Sequence, residues 1–320
     1  MSISGIDLGA TKVTFAIFSK EGIITSKETI LLEQRTGKKV GSLIAERIKY
    51  LLESPETQGD KINSIGISVP GISYTGTGTV WAPNITGWND YPLLQEIKNV
   101  AGNIPVTIDS DRACYILGEF WQGNARGCRD AVFLSVGTGI GAGILVNGEV
   151  LRGSNEIAGA IGWMALDKPF NDKYISCGCF EYHASGEGIA KIAREFLSLD
   201  NNYTGKLRNK PAAELTSYDV FGAYDYGDIV ATRVVEQCIE YWGMAVANII
   251  SLFNPEKIIL GGGIFGPARK FIPEIRKEAE KWAQPISIKQ VSIEESALSG
   301  DAGVYGAGYL ALKKLIDKNP

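Results

Sequence analysis

The alternation of apolar and polar positions divides the first fifty or so residues into a readable series. "SISGIDL", "KVTFAIFS" and "GIITSKETILL" each read as a short strand, with "KEG" as the connection between the last two. An antiparallel sheet is therefore expected to open the chain. From Lys38 to Leu52 the period changes, and Val40, Leu43, Ile44, Ile48, Leu51 and Leu52 recur at helical spacing. That spacing predicts an amphipathic helix covering the sheet. "INSIGISVPG" then reads as a strand running into a turn, and "IPVTIDS" as a strand feeding a helix over "DRACYILGEFW".

At Ala131 the series starts again: "AVFLSVG" is a strand, "TGIG" a turn, "AGILV" a strand and "NGE" a hairpin connection. Placing Gly9 on Gly137 sets "FAIFSKEG" over "GILVNGEV" without a gap, which points to a duplicated supersecondary unit and a pseudo-twofold pair of domains. From Asp167 to Tyr226 polar and turn residues dominate, and loops and insertions are expected there. A long helical stretch follows, "IVATRVVEQCIEYWGMAVANIISLF", then the strand "KIILGGG", then helices to the C-terminus.

The bulk properties narrow this picture. The length of 320 residues suits two domains of ordinary size, and a composition 45% hydrophobic and 21% charged is that of a chain that folds. A net charge of −4 gives no basic footprint, so neither a nucleic acid nor a membrane is expected as partner. The opening "MSISGIDLG" lacks the sections of a secretory signal, and no apolar run approaches membrane-spanning length. A cytoplasmic protein is expected. Five cysteines do not make a disulfide framework, and Cys114, Cys128 and Cys238 read as small buried apolar residues.

Small residues after a strand let backbone N–H groups approach an anion closely. Gly9, Ala10 and Thr11 fit that role, as do Gly137, Thr138, Gly139 and Gly141. Either loop alone is better read as an ordinary hairpin. Two of them in duplicated halves can face one another across a cleft and hold a phosphate chain. Asp7, just before the first loop, suits a hydrated Mg²⁺ on that chain, or equally a pairing with a nearby lysine or the capping of a turn. "GTGIGAG" has dinucleotide-type glycine spacing but leads into a strand and hairpin where that fold requires a helix. Gly261, Gly262 and Gly263 permit a flat group to lie on the backbone, or equally a tight turn. Asp109 and Asp111 stand at a strand-to-helix junction, where one of them is expected to be an N-cap and the other can serve as general base.

Taken in order, "DLGATK", "SVPG", "APNITGW", "DSDRACYILGE", "SVGTGIGAGI", "GSNEIAGAIGW", "CGCFEYHASG" and "ILGGG" resemble the ROK family of repressors, open reading frames and sugar kinases. That family lies within the superfamily of sugar kinases, heat-shock chaperones and actin. The resemblance implies an α/β fold of two ribonuclease-H-like domains with an active-site cleft between them. Residues 1–115 would form the first and 116–303 the second, with room for a helix at about 304–320 to pack back on the first. It also implies an ATP- and Mg²⁺-dependent kinase and a homodimer. On matching positions Asp111 would be the catalytic base, and Asp7, Gly9, Ala10, Thr11, Lys12, Gly137, Thr138 and Gly139 would attend the phosphates. Gly261, Gly262 and Gly263 would sit at the adenosine end, and Gly71, Asn84, Ser110, Trp163 and Glu181 in the sugar pocket.

Three departures from the family pattern bear on the substrate. Ser110 replaces the usual Asn before the base, and a hydroxyl offers one donor in place of an amide's two. Ala160, Ile161, Gly162 and Trp163 stand where the family has E-x-G-H. The zinc loop is cut short, leaving Cys177, Cys179 and the chain's one histidine, His183, read as a surface or packing residue. A closed zinc site needs about four ligands, so no zinc is expected. Trp163 can stack on a sugar ring or fill the volume of the lost loop, and filling is the preferred reading. The expected activity is phosphorylation of a hexose, N-acylhexosamine, β-glucoside or cyclitol. The rivals are a sensor of nucleotide and sugar with little or no turnover, and a repressor, which the short lead before the first strand disfavours.

Overall fold

The computed structural model describes residues 2–53 and 61–317. In chain order its elements begin with β1 (Ser2–Leu8), β2 (Lys12–Ser19), β3 (Ile24–Leu31), α1 (Lys38–Glu53), β4 (Ile62–Val69), β5 (Ile72–Tyr74) and β6 (Thr79–Trp81). They continue with α2 (Leu93–Ala101), β7 (Val106–Ser110), α3 (Asp111–Gln122), β8 (Ala131–Val136), β9 (Ile140–Val146) and β10 (Glu149–Val150). Then come α4 (Cys179–Ala184), α5 (Gly186–Leu199), α6 (Ser217–Tyr224), α7 (Ile229–Phe253), β11 (Lys257–Gly261), α8 (Ile272–Glu280), α9 (Ser287–Gln290), β12 (Ser292–Glu295) and α10 (Ala302–Ile316).

Two compact units result. One takes the chain as far as Gly127, the segment Val150–Ala158 and everything from Gly300 on; the other takes Cys128–Glu149 and Gly159–Ser299. These borders differ from a division at 115/116, because α3 is one uninterrupted helix from Asp111 to Gln122. Each unit is built on a five-stranded sheet, in the orders β3-β2-β1-β4-β7 and β10-β9-β8-β11-β12. In both, the first strand pairs antiparallel with the second and parallel with the fourth, so the two sheets are copies of one topology.

The copies do not overlay without a gap. Leu8 lies opposite Val13, whereas Val136 lies opposite Ile140, so the first hairpin is one residue longer. With Leu8 set on Val136, Val13, Phe15 and Ile17 fall on Ile140, Ala142 and Ile144, and both sets face their unit's core. The ungapped overlay placed Phe15 on Gly143. A one-residue slip turns every side chain of a strand to the other face, which is why the core that each side chain joins corrects the alignment.

In the first unit α1 buries Val40, Ile44, Ile48 and Leu51, the helical-period positions, in one core with β1, β2 and β4. On the sheet's other side α10 lies against β1, β4 and α3 through small residues. Gly5 and Gly66 are cross-strand partners, and a Cβ on Gly66 would run into the Ala307 carbonyl, as one on Gly5 would come 2.5 Å from that of Val304. The second unit buries α7, whose N-cap Asp228 accepts from the N–H groups of Val230 and Ala231.

Three sequence expectations change here. The polar middle carries α4, α5 and α6, since α5 buries Ile189, Ile192, Ala193 and Leu197 at helical spacing behind an N-capping Ser185. Strand β12 interrupts the expected run of C-terminal helices and pairs parallel with β11. The helix α2 and the ribbon β5-β6 also had no counterpart in the pattern. Among the described residues, no helix is long and apolar enough to cross a membrane.

Candidate active site

In the first unit the acidic groups gather at the carboxyl ends of parallel strands, where α/β sheets bind ligands. Asp7 lies near the end of β1, beside Ser68 of β4, whose hydroxyl donates to Asp7 Oδ1 at 2.6 Å. The backbone of Gly303 closes on the same carboxylate, and a Cβ there would stand 2.6 Å from Cγ and both oxygens. Burial pushes the Asp7 pKa up, opposed by the Ser68 hydroxyl and the Lys12 ammonium and reinforced by the charge of Asp301.

Asp109 and Asp111, two residues apart, have unlike surroundings. Asp109 is buried, and Arg152 pairs with it. Asp111 is the first residue of α3, and its Oδ1 accepts from the Arg112 N–H at 2.8 Å. Burial raises its pKa to about 6, with the Arg112 guanidinium opposing and the Asp7 charge adding to the rise. The Tyr115 hydroxyl lies 3.5 Å from its Oδ2. Neither aspartate is the N-cap: Ser110 is, its Oγ accepting from the Ala113 N–H at 3.3 Å. The serine that replaces the family's asparagine thus uses an oxygen lone pair on its own helix and keeps its hydroxyl proton as a donor.

Of the other expected sugar-pocket residues in this unit, Gly71 adopts φ 95° and receives the Arg112 guanidinium on its carbonyl at 3.2 Å. Asn84 is exposed. Gly9 closes its hairpin by donating to the Lys12 carbonyl at 2.9 Å, and Ala10, Thr11 and Lys12 are exposed. The N–H groups of Ala10 and Thr11 have no acceptor among the described residues.

The second unit brings its own set together at the ends of β8 and β11. Gly137 donates to the Gly139 carbonyl at 2.9 Å, which leaves the N–H groups of Thr138 and Gly139 without acceptors among the described residues. Gly262, at φ 87°, passes so close to Val136 that a Cβ would stand 2.8 Å from its nitrogen. Gly261 packs on the Phe133 ring, and the exposed Gly263 receives the Tyr218 hydroxyl at 3.4 Å. Glu181, on α4, accepts the Ile140 N–H on Oε2 at 2.7 Å; burial raises its pKa, opposed by that hydrogen bond.

Trp163 does not fill a void: it ends a short 3-10 turn and is 58% exposed, and the Gly178 backbone passes close to its own. His183 is buried against the Tyr241 ring at 4.4 Å, with Nε2 2.9 Å from the Tyr174 hydroxyl and Nδ1 3.1 Å from Gln237 Nε2. Burial lowers its pKa to about 4, so it is a neutral packing residue with both nitrogens engaged. Among the described residues no group of three or more His, Cys, Asp or Glu is arranged to hold a metal ion.

Sequence reasoning passed over Ser68, Tyr115, Arg152, Gly186 and Gly303. Ser68 was within reach, since it sits in "SVPG" at the end of a strand predicted to neighbour the first. Nothing local marks Arg152 or Gly303, which reach the site only through the fold.

A sheet of this order, present twice and each time carrying a small-residue turn after its first strand, defines the fold of two ribonuclease-H-like domains shared by sugar kinases, heat-shock chaperones and actin. The chain belongs to the ROK family, whose model matches residues 3–314. It is 33% identical over 313 residues to a glucokinase of Halalkalibacterium halodurans, covering 96% of this chain and 93% of that one. It is 30% identical over 322 residues to a putative xylose repressor of a Caldicellulosiruptor species, covering 98% of this chain and 79% of that one. Among solved structures, the ROK hexokinase of Thermus thermophilus superposes with a TM-score of 0.79 at 26% identity, over 99% of this chain and all of that one (100%).

Proposed function

We propose that this protein phosphorylates a monosaccharide or close relative with ATP, and that Asp111 is the general base. It is a carbohydrate kinase of the ROK family, and its glucokinase and hexokinase relatives support that activity over almost the whole chain. The observation that carries the role of Asp111 is its setting. A carboxylate at the start of α3, raised to about 6 by burial, is ionised at neutral pH yet more basic than an ordinary aspartate.

Phosphoryl transfer demands positioning and charge stabilisation more than covalent chemistry. Asp111 accepts the proton of the attacking hydroxyl, and the N–H groups of Ala10, Thr11, Thr138 and Gly139, without acceptors among the described residues, attend the phosphate oxygens. Asp7, whose Oδ1 accepts from Ser68, would hold Mg²⁺ through its carboxylate, a hard oxygen donor of the kind that ion takes. When bound, Mg²⁺ neutralises phosphate charge. Gly262 and Gly263 take the adenosine end, and Gly71, Asn84, Ser110 and Glu181 the sugar. The exposed Trp163 ring, no longer needed to fill volume, is a platform for the apolar face of the substrate. A cytoplasmic location and a homodimer belong to the same proposal, on the strength of the family resemblance.

The test is an assay of ADP release with ATP and Mg²⁺ across hexoses, N-acylhexosamines, β-glucosides and inositols. Turnover well above the ATPase background with at least one of them is expected. Nucleotide binding with no turnover on any would favour the sensor.

A further inference from the structure

We infer that Glu181 is a positioning residue for the phosphate turn of the second unit: it fixes Gly137–Gly139 through the Ile140 N–H, whatever it does for the sugar. The inference rests on the kinase reading above. Its basis is that the turn is gripped from one short stretch of chain at two points. Glu181 Oε2 accepts from Ile140 N–H at 2.7 Å on one side, and the Gly186 N–H donates to the Gly137 carbonyl at 2.7 Å on the other. These two bonds tie the first and last residues around Thr138 and Gly139, the pair whose N–H groups have no acceptor among the described residues and can serve a phosphate.

The surroundings are shaped to this contact. A Cβ on Gly139 would stand 2.7 Å from Glu181 Oε2, and one on Gly162 3.0 Å from the same oxygen, so two glycines leave room for the carboxylate. The helix that carries Glu181 is only six residues long and would not hold its place alone. It is fastened to α7 by His183 with Gln237, by His183 stacked on Tyr241, and by the Trp242 indole N–H donating to the Ala184 carbonyl at 3.1 Å. Tyr182, next to Glu181, is fastened to Glu195 of α5. Contacts to α5 and α7 thus fasten the short helix, and their output is the position of one carboxylate oxygen on the phosphate turn.

A carboxylate that served the sugar alone would leave nucleotide affinity untouched when no sugar is present. Binding of ADP and of a non-hydrolysable ATP analogue, each with Mg²⁺ and without sugar, therefore reads the proposed role by itself. Glu181→Gln keeps an acceptor oxygen for the Ile140 N–H, and Glu181→Met keeps the length without it. Nucleotide affinity within about twofold of wild type is expected for Gln, and five- to twentyfold weaker for Met, with melting curves confirming that both are folded. Gly139→Ala presses on the same contact from the turn, and should weaken nucleotide binding less in the Glu181→Met background than in wild type. If Met cannot be produced folded, Gly139→Ala in wild type, with a similar loss expected, carries the test. Affinity equal to wild type in Glu181→Met, or in Gly139→Ala where that variant carries the test, overturns the positioning role and leaves the kinase reading standing. Failure of the wild-type chain to bind nucleotide overturns that reading, and the positioning role with it.

Discussion

The two units share a sheet and differ in what they put at its carboxyl edge. Where the first has Asp7 beside Ser68, the second has Ser135 beside Gly261, at the same place in the ladder. The first unit adds Asp109 and Asp111 at the end of its fifth strand, so the aspartates gather there. The second offers bare backbone at Gly139, Gly262 and Gly263. On the function proposed above, one topology used twice is divided between proton and cation chemistry and the cradling of an anion. The turns differ accordingly: the longer first hairpin ends in Lys12, which lies near Asp7, while the tighter second one is held by Glu181 and Gly186.

The contrast extends to packing. The first unit seals its sheet with a helix seated on glycines, so Gly66→Ala is expected to destabilise by roughly 2–3 kcal/mol, read by denaturant unfolding. Next in size is the matched pair Asp7→Asn and Ser135→Ala. The former should raise KM for Mg-ATP about tenfold or more, about 1.4 kcal/mol; the latter should change it less than twofold. Equal effects would erase the division of labour.

Asp111 supplies a third expectation, through stability. Its native pKa, about 6, lies above the ordinary value of 3.8, so the native state holds that proton more tightly than the unfolded chain. The stability it contributes is complete below pH 3.8 and is lost as pH rises through about 6. At pH 7.5 its charge is a cost, and Asp111→Asn should stabilise the chain by roughly 1–2 kcal/mol while the wild-type kcat/KM falls on the acid side with an apparent pKa near 6. The smallest effect belongs to Trp163→Ala, whose exposed ring should cost less than about 0.5 kcal/mol of stability. A higher KM for the sugar with an unchanged melting point is expected there.

Much of the fold was legible because its strands and α1 bury their period positions. Val13, Phe15 and Ile17 alternate, and Val40, Ile44 and Ile48 recur every four residues. The duplication was visible too, but its register was not: "FAIF" and "GILV" are apolar throughout, and only the core that each side chain joins tells their faces apart. In the site, both turns and the pair Asp109 and Asp111 stood out by residue type and spacing, and the family resemblance chose Asp111 between the two. The N-cap was misplaced because aspartate and serine cap equally well, and only the backbone decides between Asp109, Ser110 and Asp111. Arg152 and Gly303 stayed hidden, since each reaches its carboxylate across more than forty residues of sequence. Trp163 misled because a large apolar residue in a shortened loop suggests filling, whereas its ring lies largely exposed.

Single-turnover transfer of the γ-phosphate, at saturating sugar and Mg-ATP, bears most directly on the assignment of Asp111. In Asp111→Asn the rate should fall roughly 10²–10⁴-fold with both ligands still bound as in wild type. A rate within about threefold of wild type would mean that some other group takes the proton.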